Sequence, residues 1–221
     1  MPFFATAQGK VFFIFGRVYG MNDVVMYFEK GGLVMWPLLL CSLFAIAIGI
    51  ERFIYYRTAD SSTAFANAYC EKLAAGTLQD AAELAAATKG QLAAILTEAA
   101  PIVGAAQTDA FTGMKAGVAI SRLRQRLNYL SVIVTLSPLL GLLGTIVGMI
   151  GAFSIFDVQA GAPMAITGGI GEALIATATG LCVAILSLCI HSFFAQWMDN
   201  MITDMEQCFS ALSEAKVRGG C

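Results

Sequence analysis

Residues 168–186, "GGIGEALIATATGLCVAIL", decide the fold of this chain, because they belong to an apolar run long enough to cross a lipid bilayer as a helix. The run contains a single charged side chain, Glu172, close to its start. An ionised carboxylate is costly in the hydrocarbon core, so intramembrane carboxyl groups are functional candidates. Two questions follow: whether the chain spans a membrane, and which function Glu172 has in it.

The composition of the whole chain is that of a membrane protein. Of its 221 residues, 58% are hydrophobic and 13% are charged, and the mean hydropathy is +0.74, whereas soluble domains carry about 25% charged residues. The formal net charge of −2 argues against nucleic-acid binding, which needs a basic face. The six cysteines follow no metal-ligand spacing, so neither a metal site nor a cofactor is predicted.

Three stretches reach the ~20 apolar residues that a membrane-spanning helix needs. They are residues 33–55, 130–156 and 167–194. Tyr55 ends the first stretch and Trp197 follows the third, and both suit an interfacial anchor. Strand patterns are absent. The predicted fold is therefore all-α, a polytopic membrane protein with three transmembrane helices extended into a cytoplasmic helical bundle.

The lysine and arginine residues predict the orientation of the chain. The loop 157–166 contains none, whereas the helical region 56–128 contains seven and the C-terminal helix and tail, 195–221, contain two. The positive-inside rule places those two basic segments in the cytoplasm and the N-terminus outside. Residues 1–31 are expected to form an interfacial amphipathic helix on the outer side, and they lack the pattern of a cleaved signal peptide. A helix from about Thr108 is expected to continue directly into the second span.

Small and weakly polar residues form a stripe on one face of each of the last two spans. With helical spacing, the stripes contain Gly141, Thr145, Gly148 and Ala152 in the second span, and Ala173, Thr177, Gly180 and Ala184 in the third. Two interpretations are open: close helix packing, or the lining of a polar seam or pore. Thr145 and Thr177 lie at equal depth, ~15 Å from the outer surface at ~1.5 Å per residue, so they could form one polar ring in an oligomer.

Glu172 is rotated by about 140° from Thr177 on an ideal helix. A pore that contacts a broad arc of the helix, or a position of Glu172 at a joint between subunits, would accommodate both residues. Glu172 can exchange protons in such a site, or it can remain protonated and only hold helices together. The second span and residues 33–50 contain no Asp, Glu, Lys, Arg or His. A proton path would therefore need a titratable group from another protein.

Three segments carry a resemblance to a known family: "GGLVMWPLLL" (31–40), "SPLLGLLGTIVGMIGAF" (137–153) and "GGIGEALIATATGL" (168–181). Their order and content resemble the ExbB/TolQ/MotA proton-channel family, closest to its ExbB/TolQ branch. The resemblance covers residues 22–215. It implies that the chain is not an enzyme but a proton-channel subunit of a motor complex, which couples proton-motive force to mechanical work and energises envelope processes such as TonB-dependent import.

The resemblance also implies a location and partners. The chain is expected in the bacterial inner membrane, with its N-terminus periplasmic and its C-terminus cytoplasmic, as a homopentamer. The pentamer is expected to surround an ExbD/TolR-like single-span protein with a membrane aspartate, which would supply the missing titratable group. A TonB/TolA-like protein that spans the periplasm would receive the work.

The resemblance assigns roles to particular residues. Thr145 matches the pore threonine of the family's "GLLGT" segment, and Glu172 and Thr177 match the glutamate and threonine of its "EALxAT" segment, so these three are expected in the ion pathway. Pore-lining or helix-packing roles are expected for Gly141, Gly148, Ala173, Thr179 and Gly180, of which Thr179 shares a face with Glu172. The alternative function is a non-conducting membrane scaffold that organises partner helices.

Overall fold

A computed structural model describes residues 31–158 and 163–219, and every regular element in these two ranges is an α-helix. The helices are α1 (Met35–Ala59), α2 (Thr63–Ala74), α3 (Leu78–Ala87), α4 (Gln91–Ala99), α5 (Ala105–Arg124), α6 (Leu127–Val158) and α7 (Pro163–Gly219). The helix predicted within residues 1–31 lies outside the described residues, apart from its last residue, as does the middle of the predicted loop 157–166.

Three helices in the described ranges, Met35–Ala74, Ala105–Ser154 and Thr167–Arg218, are long and apolar enough to cross a membrane, and they include α1, most of α6 and most of α7. Large apolar side chains on all three are exposed, among them Leu40 at 66%, Ile150 at 64% and Leu174 at 64%. Such exposure is costly in water but not in lipid, where every backbone polar group must be satisfied within the helix itself. The predicted all-α fold with three transmembrane helices is confirmed.

The chain folds as two compact units. Within the described ranges, the first consists of residues 31–43, 133–158 and 163–186, and the second of residues 44–132 and 187–219. The first unit contains every candidate site residue named above. The second contains the whole of α2 to α5 and the C-terminal part of α7.

The second unit has a hydrophobic core of its own. Its fully buried side chains include Tyr69 of α2, Leu96 of α4, and Met205 and Leu212 of α7, each at most 1% exposed. The short alanine-rich helix α3 joins this core through Ala81 and Ala85. Burial of these apolar side chains is the main force that holds the short helices together.

Hydrogen bonds from α7 fix the corner between α1 and α2. The indole Nε1 of Trp197 donates to Oδ2 of Asp60 at 2.7 Å, and the hydroxyl group of Thr63 donates to Oδ2 of Asp204 at 2.9 Å. Oδ1 of Asp60 accepts the backbone N–H of Ser62 at 2.8 Å, and Ser62 has a φ of 68°. The two carboxylates thus connect the corner to the neighbouring helix.

α5 leads into α6, the second span, with an interruption of only two residues, so the expected helix into this span is present apart from a short turn. A turn at residues 125–126 separates the two helices. At the end of α5, the carbonyl oxygen of Leu123 accepts a hydrogen bond from the hydroxyl group of Tyr56 at 3.0 Å, and that of Arg122 accepts one from Nη1 of Arg52 at 3.2 Å. Carbonyl groups at a helix end lack backbone donors, and these two side chains supply them.

A lysine closes the C-terminal end of α4 in the same way. Nζ of Lys216 donates to the carbonyl oxygens of Ala99, Ala100 and Ile102 at 2.8, 3.2 and 2.6 Å, and to Oγ1 of Thr108 at 3.1 Å. A cation is favourable at the C-terminal end of a helix because the carbonyl dipoles point toward it. Lys216 therefore connects the end of α7 to the loop between α4 and α5.

Replacing Lys216 by methionine is expected to destabilise the second unit. Methionine preserves the apolar stem but removes the donor to the carbonyl groups of Ala99, Ala100 and Ile102, a loss of about 1–3 kcal/mol. For a chain of this size, each kcal/mol lowers the Tm by about 2–4 °C. Thermal unfolding of the purified protein in detergent measures the change.

The matched control is Lys89→Met, because Lys89 is exposed at the surface of the same unit. It should leave the Tm within about 1 °C of the parent, as surface substitutions usually do. Equal Tm values for the two variants would show that the hydrogen bonds of Lys216 contribute nothing to stability.

Candidate functional site

The small residues predicted on one stripe of α6 and one of α7 lie where these two helices contact each other in the first unit. A Cβ atom at Gly141 would lie 3.1 Å from the Cα atom of Thr177, and one at Gly148 would lie 3.2 Å from the Cβ atom of Ala173. A Cβ atom at Gly180 would lie 2.7 Å from the carbonyl oxygen of Ser137. The helix backbones approach this closely because the side chains between them are absent or small.

Sequence reasoning missed a second row of small residues in the same contact. A Cβ atom at Gly144 would lie 2.5 Å from the Cβ atom of Ala176 and 3.6 Å from that of Val34, which precedes α1. Gly144 and Ala176 each lie three residues after a member of a predicted stripe, Gly141 and Ala173. The i, i+3 spacing therefore contained a signal for the wider contact.

The hydroxyl group of Thr177 connects the two helices. Its Oγ1 donates to the carbonyl oxygen of Gly141 at 3.1 Å, and the side chain is half-buried. In a membrane such an interhelical hydrogen bond contributes roughly 1 kcal/mol. The hydroxyl oxygen keeps its acceptor sites for water or another donor, so Thr177 has a defined position and remains able to take part in proton transfer.

Thr145 and Thr179 donate to carbonyl groups of their own helices. Oγ1 of Thr145 donates to Leu142 at 2.6 Å, and Oγ1 of Thr179 donates to Ile175 at 2.9 Å. Both side chains are half-buried. Within the described part of this one chain, no hydrogen bond joins Thr145 to Thr177, so the predicted ring of hydroxyl groups would have to be formed by neighbouring copies.

Glu172 lies beside the turn that leads into α1. Its side chain is half-buried, and its Oε1 occupies the place that a Cβ atom of Gly32 would take. Gly32 has a φ of +68°, and its carbonyl oxygen accepts the backbone N–H of Met35 at 3.2 Å in the first turn of α1. A contact between Gly32 and Glu172 was not predicted; the only signal at this position was the Gly31-Gly32 pair at the start of "GGLVMWPLLL".

These side chains suit proton transfer. The carboxyl group of Glu172 and the hydroxyl groups of Thr145, Thr177 and Thr179 lie in the first unit among mostly apolar and small side chains. A carboxyl group can take up and release a proton, and a hydroxyl group can both donate and accept hydrogen bonds. In the described ranges, no group of three or more His, Cys, Asp or Glu side chains is arranged to hold a metal ion.

Comparison with known proteins gives independent support for the family that the three signature segments resemble. The model of the MotA/TolQ/ExbB proton channel family matches residues 111–207, a range that includes Thr145, Glu172 and Thr177. The chain is 35% identical to the ExbB-like 3 biopolymer transport protein of Synechocystis, over 74% of this chain and 81% of the relative. It is 28% identical to the biopolymer transport protein exbB1 of Vibrio cholerae, over 84% of this chain and 85% of the relative.

The extent of these matches confirms the resemblance seen in the three signature segments. The family description and the names of the relatives agree with the three apolar helices, which make the chain a membrane protein. The chain belongs to the MotA/TolQ/ExbB proton channel family, and its relatives are ExbB-like proteins of biopolymer transport.

Proposed function

We propose that this chain is the proton-channel subunit of a bacterial inner-membrane motor that converts proton-motive force into mechanical work on a partner. The observation that carries the proposal is the position of Glu172, the one acidic residue of the apolar run 167–194, in a member of a proton-channel family. Glu172, Thr145 and Thr177 form the proposed ion pathway. The driven process belongs to the envelope, such as TonB-dependent import.

A second protein has to complete the pathway. The apolar residues 33–50 and 130–156 contain no titratable Asp, Glu, Lys, Arg or His, so Glu172 has no second carboxyl group to exchange protons with on those spans. An ExbD/TolR-like single-span protein with a membrane aspartate would supply that group. A TonB/TolA-like protein that spans the periplasm would then receive the movement of this partner.

Several copies of the chain would enclose the partner helix. On α6, Leu139 is 61% exposed, Ile146 is 51% exposed and Ile150 is 64% exposed, and lipid, neighbouring copies and the partner would cover these side chains. We propose a homopentamer with the N-terminus periplasmic. Residues 56–128 and 195–221 would then lie in the cytoplasm, where their basic residues favour that orientation.

In this mechanism the residues have distinct tasks. Glu172 takes up a proton and passes it to the partner aspartate. Water held by the hydroxyl groups of Thr145 and Thr177 connects these two carboxyl groups to the opposite side of the membrane. The hydrogen bond from Thr177 to Gly141 keeps one hydroxyl group at a constant place in the α6–α7 contact. Protonation removes the charge of the partner aspartate, which lets the partner helix move within the ring.

Reconstitution tests the proposal. The chain and an ExbD/TolR-like single-span protein from the same organism are purified together and placed in vesicles that contain a pH-sensitive dye, with a potassium diffusion potential as the driving force. Proton flux is expected with both proteins present, and not with either protein alone or with the partner aspartate changed to asparagine. Absence of flux through the intact pair would disprove the channel function, and native mass spectrometry of the same complex tests the number of copies.

A further inference from the structure

We infer that Gly32 is a positioning residue for Glu172, because the turn before α1 forms one wall of the site that holds the carboxyl group. This inference rests on the proposed ion-pathway role of Glu172 and adds a part of the chain, the entry to α1, that no residue assignment above includes. It is carried by three observations: a contact, a backbone conformation and the end of a long helix.

The contact is a direct one between backbone and carboxyl group. Oε1 of Glu172 lies in the space that the side chain of any residue other than glycine would fill at position 32. The carboxyl carbon of Glu172 would also lie only 2.9 Å from a Cβ atom there. Even the methyl group of alanine would therefore displace the carboxyl group from its present position.

The conformation of Gly32 gives a second, independent reason for glycine at this position. Its φ of +68° lies in the left-handed region, which L-residues with a Cβ atom adopt only at a cost. The turn is closed by the hydrogen bond between the N–H of Met35 and the carbonyl oxygen of Gly32 at 3.2 Å. The left-handed turn thus brings bare backbone against Glu172.

The electrostatic consequence follows from the helix that begins here. α1 has 25 residues, and its first turn carries backbone N–H groups without partners inside the helix. These groups give the N-terminal end a positive partial charge, which stabilises a carboxylate close to it. In the described ranges, no side chain forms a hydrogen bond or an ion pair with the carboxyl group of Glu172. The turn at Gly32 therefore places the carboxyl group of Glu172 beside the N-terminal end of α1.

The test compares Gly32→Ala with Gly76→Ala in the reconstituted complex. Gly76 has a φ of +82° and nothing within 4 Å of its Cβ position, so this control introduces the same kind of backbone strain without the contact. Two quantities are measured: proton flux, and the rate at which a hydrophobic carbodiimide labels Glu172, read by mass spectrometry of the peptide. Carbodiimides react with the protonated carboxyl group, so the labelling rate reports the surroundings of Glu172 directly.

Gly32→Ala is expected to raise the labelling rate of Glu172 by about two- to fivefold and to lower proton flux by a comparable factor, because the added methyl group displaces the carboxyl group from its place against the turn. Gly76→Ala is expected to change neither. Equal labelling and equal flux in the two variants would overturn the inference and leave the proposed channel function intact. If the parent pair does not conduct, the channel function fails, and labelling of Glu172 alone still decides the role of Gly32.

A double variant keeps the test decisive if Gly32→Ala does not assemble. Glu172→Asp shortens the side chain by one methylene group and withdraws the carboxyl group from the position-32 methyl group. If Gly32 acts through Glu172, adding Gly32→Ala to Glu172→Asp should restore assembly relative to Gly32→Ala alone, because the two changes are coupled. If the double variant assembles no better, the defect is only backbone strain and the inference is wrong.

Discussion

Replacing Glu172 by glutamine is expected to reduce partner-dependent proton flux to the level of protein-free vesicles while the complex still assembles. Glutamine has nearly the shape of glutamic acid and keeps its hydrogen-bonding atoms, but it cannot take up and release a proton. Because residues 33–50 and 130–156 contain no Asp or Glu, these apolar stretches offer no substitute for Glu172. The dye assay in vesicles measures the flux, and size-exclusion chromatography measures assembly.

Glu206→Gln is the matched control, since Glu206 is exposed on the same helix, α7, in the second unit. It should leave the flux unchanged. The alternative function, a non-conducting scaffold, makes the opposite prediction for Glu172→Gln: lower thermal stability of the purified oligomer and no effect on transport. Unchanged flux in Glu172→Gln would remove Glu172 from the ion pathway.

Replacing Gly180 by valine is expected to separate α6 from α7. A Cβ atom at Gly180 would lie 2.7 Å from the carbonyl oxygen of Ser137 and 2.9 Å from the Cα atom of Gly141. Both neighbours are backbone atoms, which cannot rotate away as a side chain does. The destabilisation should reach or exceed about 3 kcal/mol, the upper range for overpacking. The hydrogen bond from Thr177 to Gly141 lies in the same contact, so flux should fall together with stability.

Gly151→Val is the control for this change, because nothing lies within 4 Å of a Cβ atom at Gly151 in the same helix pair. The stability of each variant is measured as the Tm of the detergent-purified chain, which should fall by about 2–4 °C for each kcal/mol lost. If the two valine variants unfold at the same temperature, the close backbone approach at Gly180 does not stabilise the chain.

The class of the fold could be predicted from residue content alone. Lipid leaves no water to satisfy backbone polar groups, so an apolar run such as 167–194 must become a helix whatever its neighbours are. The same reasoning made Glu172 conspicuous, because one carboxyl group in such a run costs free energy unless it has a function. The resemblance of the three signature segments to the family then implied a place for Thr145 and Thr177 in the ion pathway.

The contacts that position the site residues, and those that stabilise the second unit, could not be predicted in the same way. Periodicity tells which residues share a face, but not which segment that face contacts. Gly32 was visible only as a helix boundary, although it receives the carboxyl group of Glu172. Likewise, Arg52 and Tyr56 end α5 by bonding carbonyl groups about 70 residues away in the chain.

The sequence by itself determined that this chain crosses a membrane three times as helices and carries one carboxyl group into the apolar region, because these properties depend on local hydrophobicity. Only the tertiary structure decided that bare backbone at Gly32 meets that carboxyl group, that Thr177 bonds Gly141, and that Lys216 closes the end of α4. Each of these contacts joins segments far apart in the chain, and the geometry of such a contact depends on how the helices pack.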